Sequence, residues 1–139
     1  SEMCIRDRIR KNIDLDKVDL IISPAMGGII FGYEMSRQLN KPNIFCERVN
    51  GSFVFKRGFQ LPTNTNVLIA EDVITTAKSS LEVVKLVKDS NAKVVGETCL
   101  IDRSLGKSKE ILKFPVTSLL EIKARVFDKN NIPEDLIYL

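Results

Sequence analysis

The sequence contains no histidine and no tryptophan. The first absence removes Ser-His-Asp chemistry, imidazole metal ligation and histidine general bases together. Any catalysis must therefore run on carboxylates, Lys, Arg, hydroxyls and backbone amides. The three cysteines, Cys4, Cys46 and Cys99, are far apart and form no CxxC pair, which excludes a zinc ribbon or thioredoxin-type motif as a local signature. Cys46 and Cys99 lie in apolar, strand-like surroundings and read as buried small hydrophobes of a protein in the reducing cytoplasm. No run approaches the ~18 apolar residues of a membrane span, so no membrane is expected as a partner. Residues 1–8 are too charged for a signal peptide. A strong charge excess is also lacking: 21 Lys and Arg against 18 Asp and Glu leave +3. That gives no reason to expect a nucleic acid partner without a local basic stripe.

What is present fits one α/β domain, since 139 residues with 44% hydrophobic content can bury a core. Residues 18–22 form a continuous apolar run, the kind that makes a strand buried on both faces. The run meets Pro24-Ala25-Met26-Gly27-Gly28, after which Ile29, Phe31, Met35 and Leu39 recur at helical spacing until Asn40 and Pro42. Residues 44–47 read as a strand, Asn50-Gly51 as a hairpin turn, and residues 53–57 as the returning strand. Residues 67–70 are a buried strand ending in Glu71-Asp72. Ser79 and Glu82 have capping-box spacing and open a helix through Lys88, with Val83, Val84 and Val87 on its apolar side. Residues 93–101 and 116–122 complete the strands, and the polar stretch from Lys123 onward, with Pro133, is assigned to loop. This alternation predicts a mostly parallel central sheet flanked by helices, with a hairpin loop.

Chemistry gathers in residues 67–80. A buried strand delivers Glu71 and Asp72 to its C-terminal edge, where open α/β sheets bind ligands. A loop of small and hydroxyl residues follows, Val73, Ile74, Thr75, Thr76, Ala77, Lys78 and Ser79, and then a helix N-terminus whose free amides and dipole favour an anion. Two carboxylates beside a phosphate cradle suit a ligand with vicinal hydroxyls and a phosphate, such as a ribose 5-phosphate. The same residues also allow a plainer reading, in which Thr75, Thr76 and Ser79 cap a helix and Glu71-Asp72 is a solvated turn.

The stretch resembles the phosphoribosyl diphosphate (PRPP) motif of the type I phosphoribosyltransferases: apolar residues, Glu-Asp, then Thr-Thr-small-x-Ser. The resemblance implies that fold, with Glu71 and Asp72 near the ribose hydroxyls and residues 73–79 around the 5-phosphate. Ala77 stands where the family usually has Gly, and its methyl is expected to narrow the backbone's approach to phosphate.

Three further segments are similar to the orotate phosphoribosyltransferases in particular. Ser23-Pro24-Ala25-Met26-Gly27-Gly28-Ile29 looks like the Gly-Pro-Ala-x-Gly-Gly turn that lies near the diphosphate, with Ser23 replacing the first Gly. Gly27 and Gly28 would let backbone amides reach an anion, while the Lys that other branches carry in this turn is replaced by Gly27. Residues 47–59 resemble the loop that family members extend over the neighbouring active site of a homodimer. Arg48, Lys56 and Arg57 are then candidates to neutralise departing diphosphate; taken alone, they equally suit a charged, solvent-facing hairpin. Leu100-Ile101-Asp102-Arg103-Ser104 looks like the strand end whose Arg contacts orotate, with Thr75 beside it. A guanidinium fork can bind a carboxylate in two places.

The resemblance covers roughly residues 19–122 and implies transfer of the ribosyl 5-phosphate of PRPP to orotate. The products are orotidine 5'-phosphate and diphosphate, in pyrimidine (UMP) biosynthesis. Mg2+ is expected to arrive mostly through substrate oxygens and water, with no protein metal ligands. Another base phosphoribosyltransferase, or a PRPP-binding regulator without turnover, are the alternatives. Family members also carry an N-terminal hood and a basic tail. The expected organisation is therefore a non-native leader over residues 1–8 and a phosphoribosyltransferase core over residues 9–139, incomplete at both ends.

Overall fold

The computed structural model describes residues 5–123, 130 and 131; most of the loop expected from Lys123 onward lies outside the described residues. Six strands form one sheet: β1 Leu20–Pro24, β2 Asn43–Val49, β3 Ser52–Phe55, β4 Asn66–Ile74, β5 Lys93–Asp102 and β6 Val116–Glu121. Their order is β3-β2-β1-β4-β5-β6. Every neighbouring pair is parallel except the β2/β3 hairpin. The helices are α1 Ile5–Arg10, α2 Gly28–Leu39, α3 Lys78–Asp89 and α4 Lys107–Leu112. The expected mostly parallel α/β sheet with a hairpin is therefore the observed fold.

The two-residue period of a strand sorts the core into layers. Ile21, Leu68 and Ala70 face α1 and α2, where they meet Ile9, Phe31 and Met35. Leu20, Ile22, Val67 and Ile69 face the other way, onto Val83 and Val87 of α3. All five residues of β1 are buried, as expected of a central parallel strand covered on both faces. Helix α2 ends at Asn40, whose φ of 53° is a left-handed cap that asparagine tolerates. Asn50 and Gly51 both have positive φ, 52° and 84°, between the paired residues Val49 and Ser52. This is the two-residue turn whose twist matches a hairpin.

Four details depart from the sequence reading. Strand β3 stops at Phe55, and Arg57 and Gly58 turn away with φ of 58° and 75°. Strand β4 runs on through Glu71 and Asp72 to Ile74, because β5 continues to pair with it as far as Asp102. Helix α3 begins at Lys78 with Ala77 as its cap, so Ser79 sits inside the first turn and forms no capping box with Glu82. Helices α1 and α4 were not foreseen. Ile5 and Ile9 of α1 are buried, and Arg8 donates to the carbonyls of Ser118 and Leu119 on β6, at 3.1 and 2.8 Å.

One contact sets the height of α2 over β1. A Cβ at Gly32 would overlap the Ser23 side chain, whose Oγ accepts a hydrogen bond from Asn43 at 3.2 Å. Gly32→Ala gains helix propensity but overpacks this seam, a change that costs about 1–3 kcal/mol. Urea unfolding should show the loss, and Ser23→Gly added to Gly32→Ala should recover most of it. An unchanged midpoint in Gly32→Ala would mean that the seam has slack.

Candidate active site

The chain leaves β1 toward β2 on one side and leaves β4 toward β5 on the other, so the β1/β4 boundary is the sheet's topological switch point. Open α/β sheets bind ligands in the crevice at that point, beyond the C-terminal strand ends. Two loops meet there. Gly27 has an ordinary φ of −60°, yet a Cβ on it would overlap the Asp72 carboxylate. A Cβ on Gly28 would sit 3.0 Å from the Ala70 carbonyl oxygen and 3.2 Å from Glu71 Oε1. Space, not backbone conformation, is what demands glycine at both positions. The structure thus brings Gly27, Gly28, Glu71 and Asp72 together.

The two carboxyls differ. Glu71 is 8% exposed and receives the Asp72 N–H at 2.9 Å, while Asp72 Oδ1 receives the Val73 N–H at 2.8 Å. Burial, reinforced by the adjacent Asp72, pushes the Glu71 carboxyl up to about 8. The solvated-turn reading therefore fails at Glu71, whose burial favours the neutral, hydrogen-bonding form.

Beyond β4, Glu71 and residues 73–80 line a cavity of about 180 Å³. Thr75, Thr76 and Lys78 are exposed, and the Thr76 hydroxyl accepts a long hydrogen bond from the Lys78 amide at 3.4 Å. The first-turn amides of α3 have no partner within the helix and open toward this loop. Ala77 adopts φ 64°, ψ 11°, a conformation that glycine takes without penalty and alanine only at a cost of roughly 1 kcal/mol. Its methyl packs with Ile74, Cys99, Leu112 and Val116. The departure from glycine therefore strains the backbone at a residue that also lines the cavity.

The hairpin supplies one cation to this edge. Arg48 reaches α3 of its own chain, with Nη2 2.6 Å from Glu82 Oε2 and donating to Ser79 Oγ at 3.3 Å. Its guanidinium lies 4.3 Å from the centre of the Phe53 ring, a stacked geometry that arginine favours. Arg57 instead pairs with Glu47 at 3.1 Å on the exposed face of the hairpin. Lys56 is near enough to Glu47 to help lower its carboxyl pKa, after the larger effects of Arg57. Within this chain, Lys56 and Arg57 are not brought to the cavity.

Arg103 is exposed, and its amide donates to the Ile74 carbonyl at 2.8 Å, so it leaves β5 beside Thr75. Behind it, buried Asp102 accepts from the Ser104 amide at 2.8 Å and the Ser108 hydroxyl at 2.7 Å. Burial alone would raise the Asp102 carboxyl, but these hydrogen bonds outweigh it and hold the group below its ordinary range. The sequence reading missed Asp102, and it missed Glu97 with Ser80. The signal for Glu97 was a single acid inside the apolar run of residues 94–101. Cys46 and Cys99 are buried, and burial pushes the Cys46 thiol up to about 12 and the Cys99 thiol up as well; both behave as core residues. Among the described residues, no helix is long and apolar enough to cross a membrane.

A parallel sheet carrying a glycine turn, an acid pair and a hydroxyl loop around one switch point defines the type I phosphoribosyltransferase class of fold. Residues 3–136 match the phosphoribosyl transferase domain family, and the chain belongs to that family. It is 44% identical over 120 residues to the orotate phosphoribosyltransferase of Erythrobacter litoralis. Identity to the orotate phosphoribosyltransferase of Caulobacter vibrioides is 40% over the same length. Both alignments cover 86% of this chain but 61% of the relative, so the chain spans less than two thirds of these curated relatives. Two solved structures share the fold. Orotate phosphoribosyltransferase from Aeropyrum pernix has a TM-score of 0.66 at 21% identity, covering 86% of this chain and 70% of that one. Adenine phosphoribosyltransferase from Thermoanaerobacter pseudethanolicus has a TM-score of 0.71 at 16% identity, covering 85% and 76%.

The raised carboxyls make stability depend on pH in a definite direction. Glu71 and Glu97 hold protons in the folded chain up to about 8, whereas the unfolded chain releases them near 4.5. Between these values the native state binds more protons, so stability is full below about 4.5 and is lost as pH rises through about 8. The lowered groups Glu34, Glu47 and Asp102 act at the acid end of the scale instead. Urea unfolding should show stability falling by several kcal/mol between pH 5 and pH 9. Glu71→Gln and Glu97→Gln should each flatten part of that slope. A flat wild-type profile would mean that both acids are ionised in the folded chain.

Proposed function

We propose that this chain is the core of an orotate phosphoribosyltransferase, transferring the ribosyl 5-phosphate of PRPP to orotate. The observation that carries the proposal is the packing of the Gly27-Gly28 turn directly on the Asp72 and Glu71 carboxyls. A turn of free amides beside an acid pair suits a ligand in which a diphosphate and vicinal hydroxyls belong to one ribose. The 40–44% identity to two orotate phosphoribosyltransferases supports orotate as the base.

In this reading Asp72 and Glu71 bind the ribose hydroxyls, and Thr75, Thr76 and Ser79, with the α3 amides of residues 77–79, bind the 5-phosphate. Gly27 and Gly28 face the diphosphate. Arg103 forks onto the orotate carboxylate with the Thr75 hydroxyl nearby. The bond from the anomeric carbon to diphosphate breaks, a ring nitrogen of orotate forms the new bond to that carbon as its N–H proton is lost, and diphosphate leaves with the bonding electrons and takes up that proton directly or through water. The carbon gains oxocarbenium character, so the protein's work is to orient two reactants and offset departing charge. That needs no histidine and no protein nucleophile. Arg48 is the hairpin cation that reaches the cradle within the chain, and Lys56 and Arg57 are read as acting on the partner's site in a homodimer.

Magnesium fits the site as an ion that PRPP brings. Among the described residues no three acid or thiol side chains gather into a metal cluster. The oxygens of PRPP and water would complete the sphere of Mg2+, which would neutralise diphosphate charge. The buried cysteines fit a cytoplasmic setting.

Asp72→Asn should weaken PRPP binding by about 1.5–3 kcal/mol with the fold intact, since a charge-assisted hydrogen bond is lost. Gly27→Ala, which forces the Asp72 carboxylate aside, should weaken it in the same direction. Calorimetry with PRPP tests both, and unchanged affinity in Asp72→Asn would remove the ribose assignment. Diphosphate release from PRPP should require orotate and should not occur with adenine. Binding of PRPP without release in the presence of any base would instead identify a regulator.

The trans-acting hairpin is tested by mixing Lys56→Ala chains with Asp72→Asn chains, each nearly inactive alone. Hybrid dimers should recover part of the activity, because one of their two sites has an intact cradle and an intact hairpin. No recovery despite proven subunit exchange would leave the hairpin outside the partner's catalysis.

A further inference from the structure

Glu97 is the one acid of the described chain with no exposed surface at all, and it is absent from the reaction as read above. It lies in the middle of β5, between Ile69 of β4 and Val116 of β6. Its Oε1 accepts a hydrogen bond from Ser80 Oγ at 2.8 Å, and its Oε2 has no partner. Ser80 is itself buried, belongs to the first turn of α3, and lines the 180 Å³ cavity together with Glu71 and residues 73–79. One hydrogen bond therefore separates an isolated buried carboxyl from the wall of the phosphate cradle.

We infer that Glu97 is a positioning residue whose protonated carboxyl, acting through Ser80, holds the first turn of α3 in its phosphate-binding form, and that loss of this proton is coupled to loss of the ligand. The inference rests on the reading of residues 75–79 as a phosphate cradle.

A protonated Glu97 leaves Oε1 as a carbonyl acceptor for Ser80 and carries no charge. An ionised Glu97 would put a negative charge directly behind the N-terminus of α3. It would then compete with a bound phosphate for the positive end of the helix dipole, and the two anions would repel each other. Among the described residues no cation pairs with Glu97. Burial raises the Glu97 carboxyl most, the Ser80 hydrogen bond draws it back, and the charge of Asp102 on the same strand raises it again. Glu71 of β4 and Cys99 of β5 feel the Glu97 charge in turn. Helix α3 offers Ser80, and no salt bridge reaches Glu97 from α3, α4 or β6 among the described residues. The ionisable neighbours named are acids and a thiol, which oppose ionisation together with burial, and the Ser80 hydrogen bond is the one effect that favours it. Coupling is reciprocal: if charge on Glu97 weakens phosphate binding, bound phosphate must hold the proton on Glu97 by the same factor.

The test is calorimetric titration of the 139-residue chain with PRPP and Mg2+ from pH 6.5 to pH 9. The proteins compared are wild type, Glu97→Gln and Ser80→Ala. The titration of PRPP itself is common to all three and cancels in the comparison. Glu97→Gln keeps an acceptor for Ser80 and cannot ionise. Wild-type affinity should therefore fall about fivefold more than that of Glu97→Gln across the range. At pH 8, wild type should also take up protons on binding, seen as a heat that changes with the buffer's ionisation enthalpy. That uptake should be reduced in Glu97→Gln. Ser80→Ala should bind PRPP more weakly at every pH and show a smaller pH dependence than wild type, and it decides the matter if Glu97→Gln does not fold. Wild-type binding with the same profile and proton uptake in all folded variants overturns the inference and leaves the cradle standing. Failure of wild type to bind PRPP at any pH overturns the cradle and the inference with it.

Discussion

The contact on which the rest of the site depends is the overlap-limited approach of the Gly27 backbone to the Asp72 carboxylate. Strands β1 and β4 are direct neighbours, with Ile22 opposite Ile69, so their C-terminal loops rise side by side about one strand spacing apart. At that distance any side chain on the β1 loop fills the space that the β4 acids occupy. Glycine at 27 and 28 is the local solution. It leaves backbone amides, the only groups small enough, facing the same crevice as Asp72 and Glu71. Gly32, one turn further along α2, repeats the device against Ser23, so the helix that begins at this turn stays seated low on β1.

Charge is the second organising constraint, and the protein handles its acids in two opposite ways. Asp102 is buried but satisfied by the Ser104 amide and the Ser108 hydroxyl. Such bonding keeps a carboxylate ionised despite desolvation and ties the end of β5 to the start of α4. Glu71 and Glu97 receive one hydrogen bond each and no cation, and burial then favours their neutral forms. This arrangement suits a cradle for a polyanion. Two ionised acids beneath residues 73–80 would cancel the field of the α3 N-terminus that the ligand needs. Burial thus favours the neutral form of Glu71, which lines the cavity, and of Glu97 behind Ser80, while buried Asp102 is held ionised by its donors.

Much of the fold and part of the site were legible in the sequence, for reasons that differ by element. The hairpin was legible because Asn50-Gly51 carries its geometry locally, in two positive φ angles. The central strands were legible because a strand covered on both faces must be apolar throughout. The pairing of Glu71-Asp72 with the hydroxyl loop was legible as a pattern, but β4 was cut short at Ala70 because charged residues read as an ending. In the structure β5 continues to pair there, and Glu71 meets the burial by remaining neutral. Helix α4 was not legible: Lys107-Ser108-Lys109-Glu110-Ile111-Leu112 has little apolar period, and its start depends on Asp102 and Ser104, which only the tertiary fold supplies.

The Ser79–Glu82 spacing illustrates the limit of local patterns most directly. Those two residues have the separation of a capping box, and nothing within α3 opposes one. Their partner is instead Arg48, more than thirty positions earlier, stacked on Phe53 and reaching both the hydroxyl and the carboxylate. Ser79 is drawn into the helix and Ala77 becomes the cap in a conformation better suited to glycine. The strain at Ala77 is offset by a buried methyl in the Ile74, Cys99 and Leu112 cluster. One long-range arginine thus engages both residues that a capping box would have paired with each other. The same guanidinium is shared between a carboxylate and the rim of the cavity, so in the proposed reading a phosphate at Ser79 would meet a cation already positioned by Glu82 and Phe53. That preorganisation costs no new ordering of the arginine side chain when ligand binds, and it joins the hairpin to the cradle within a single chain.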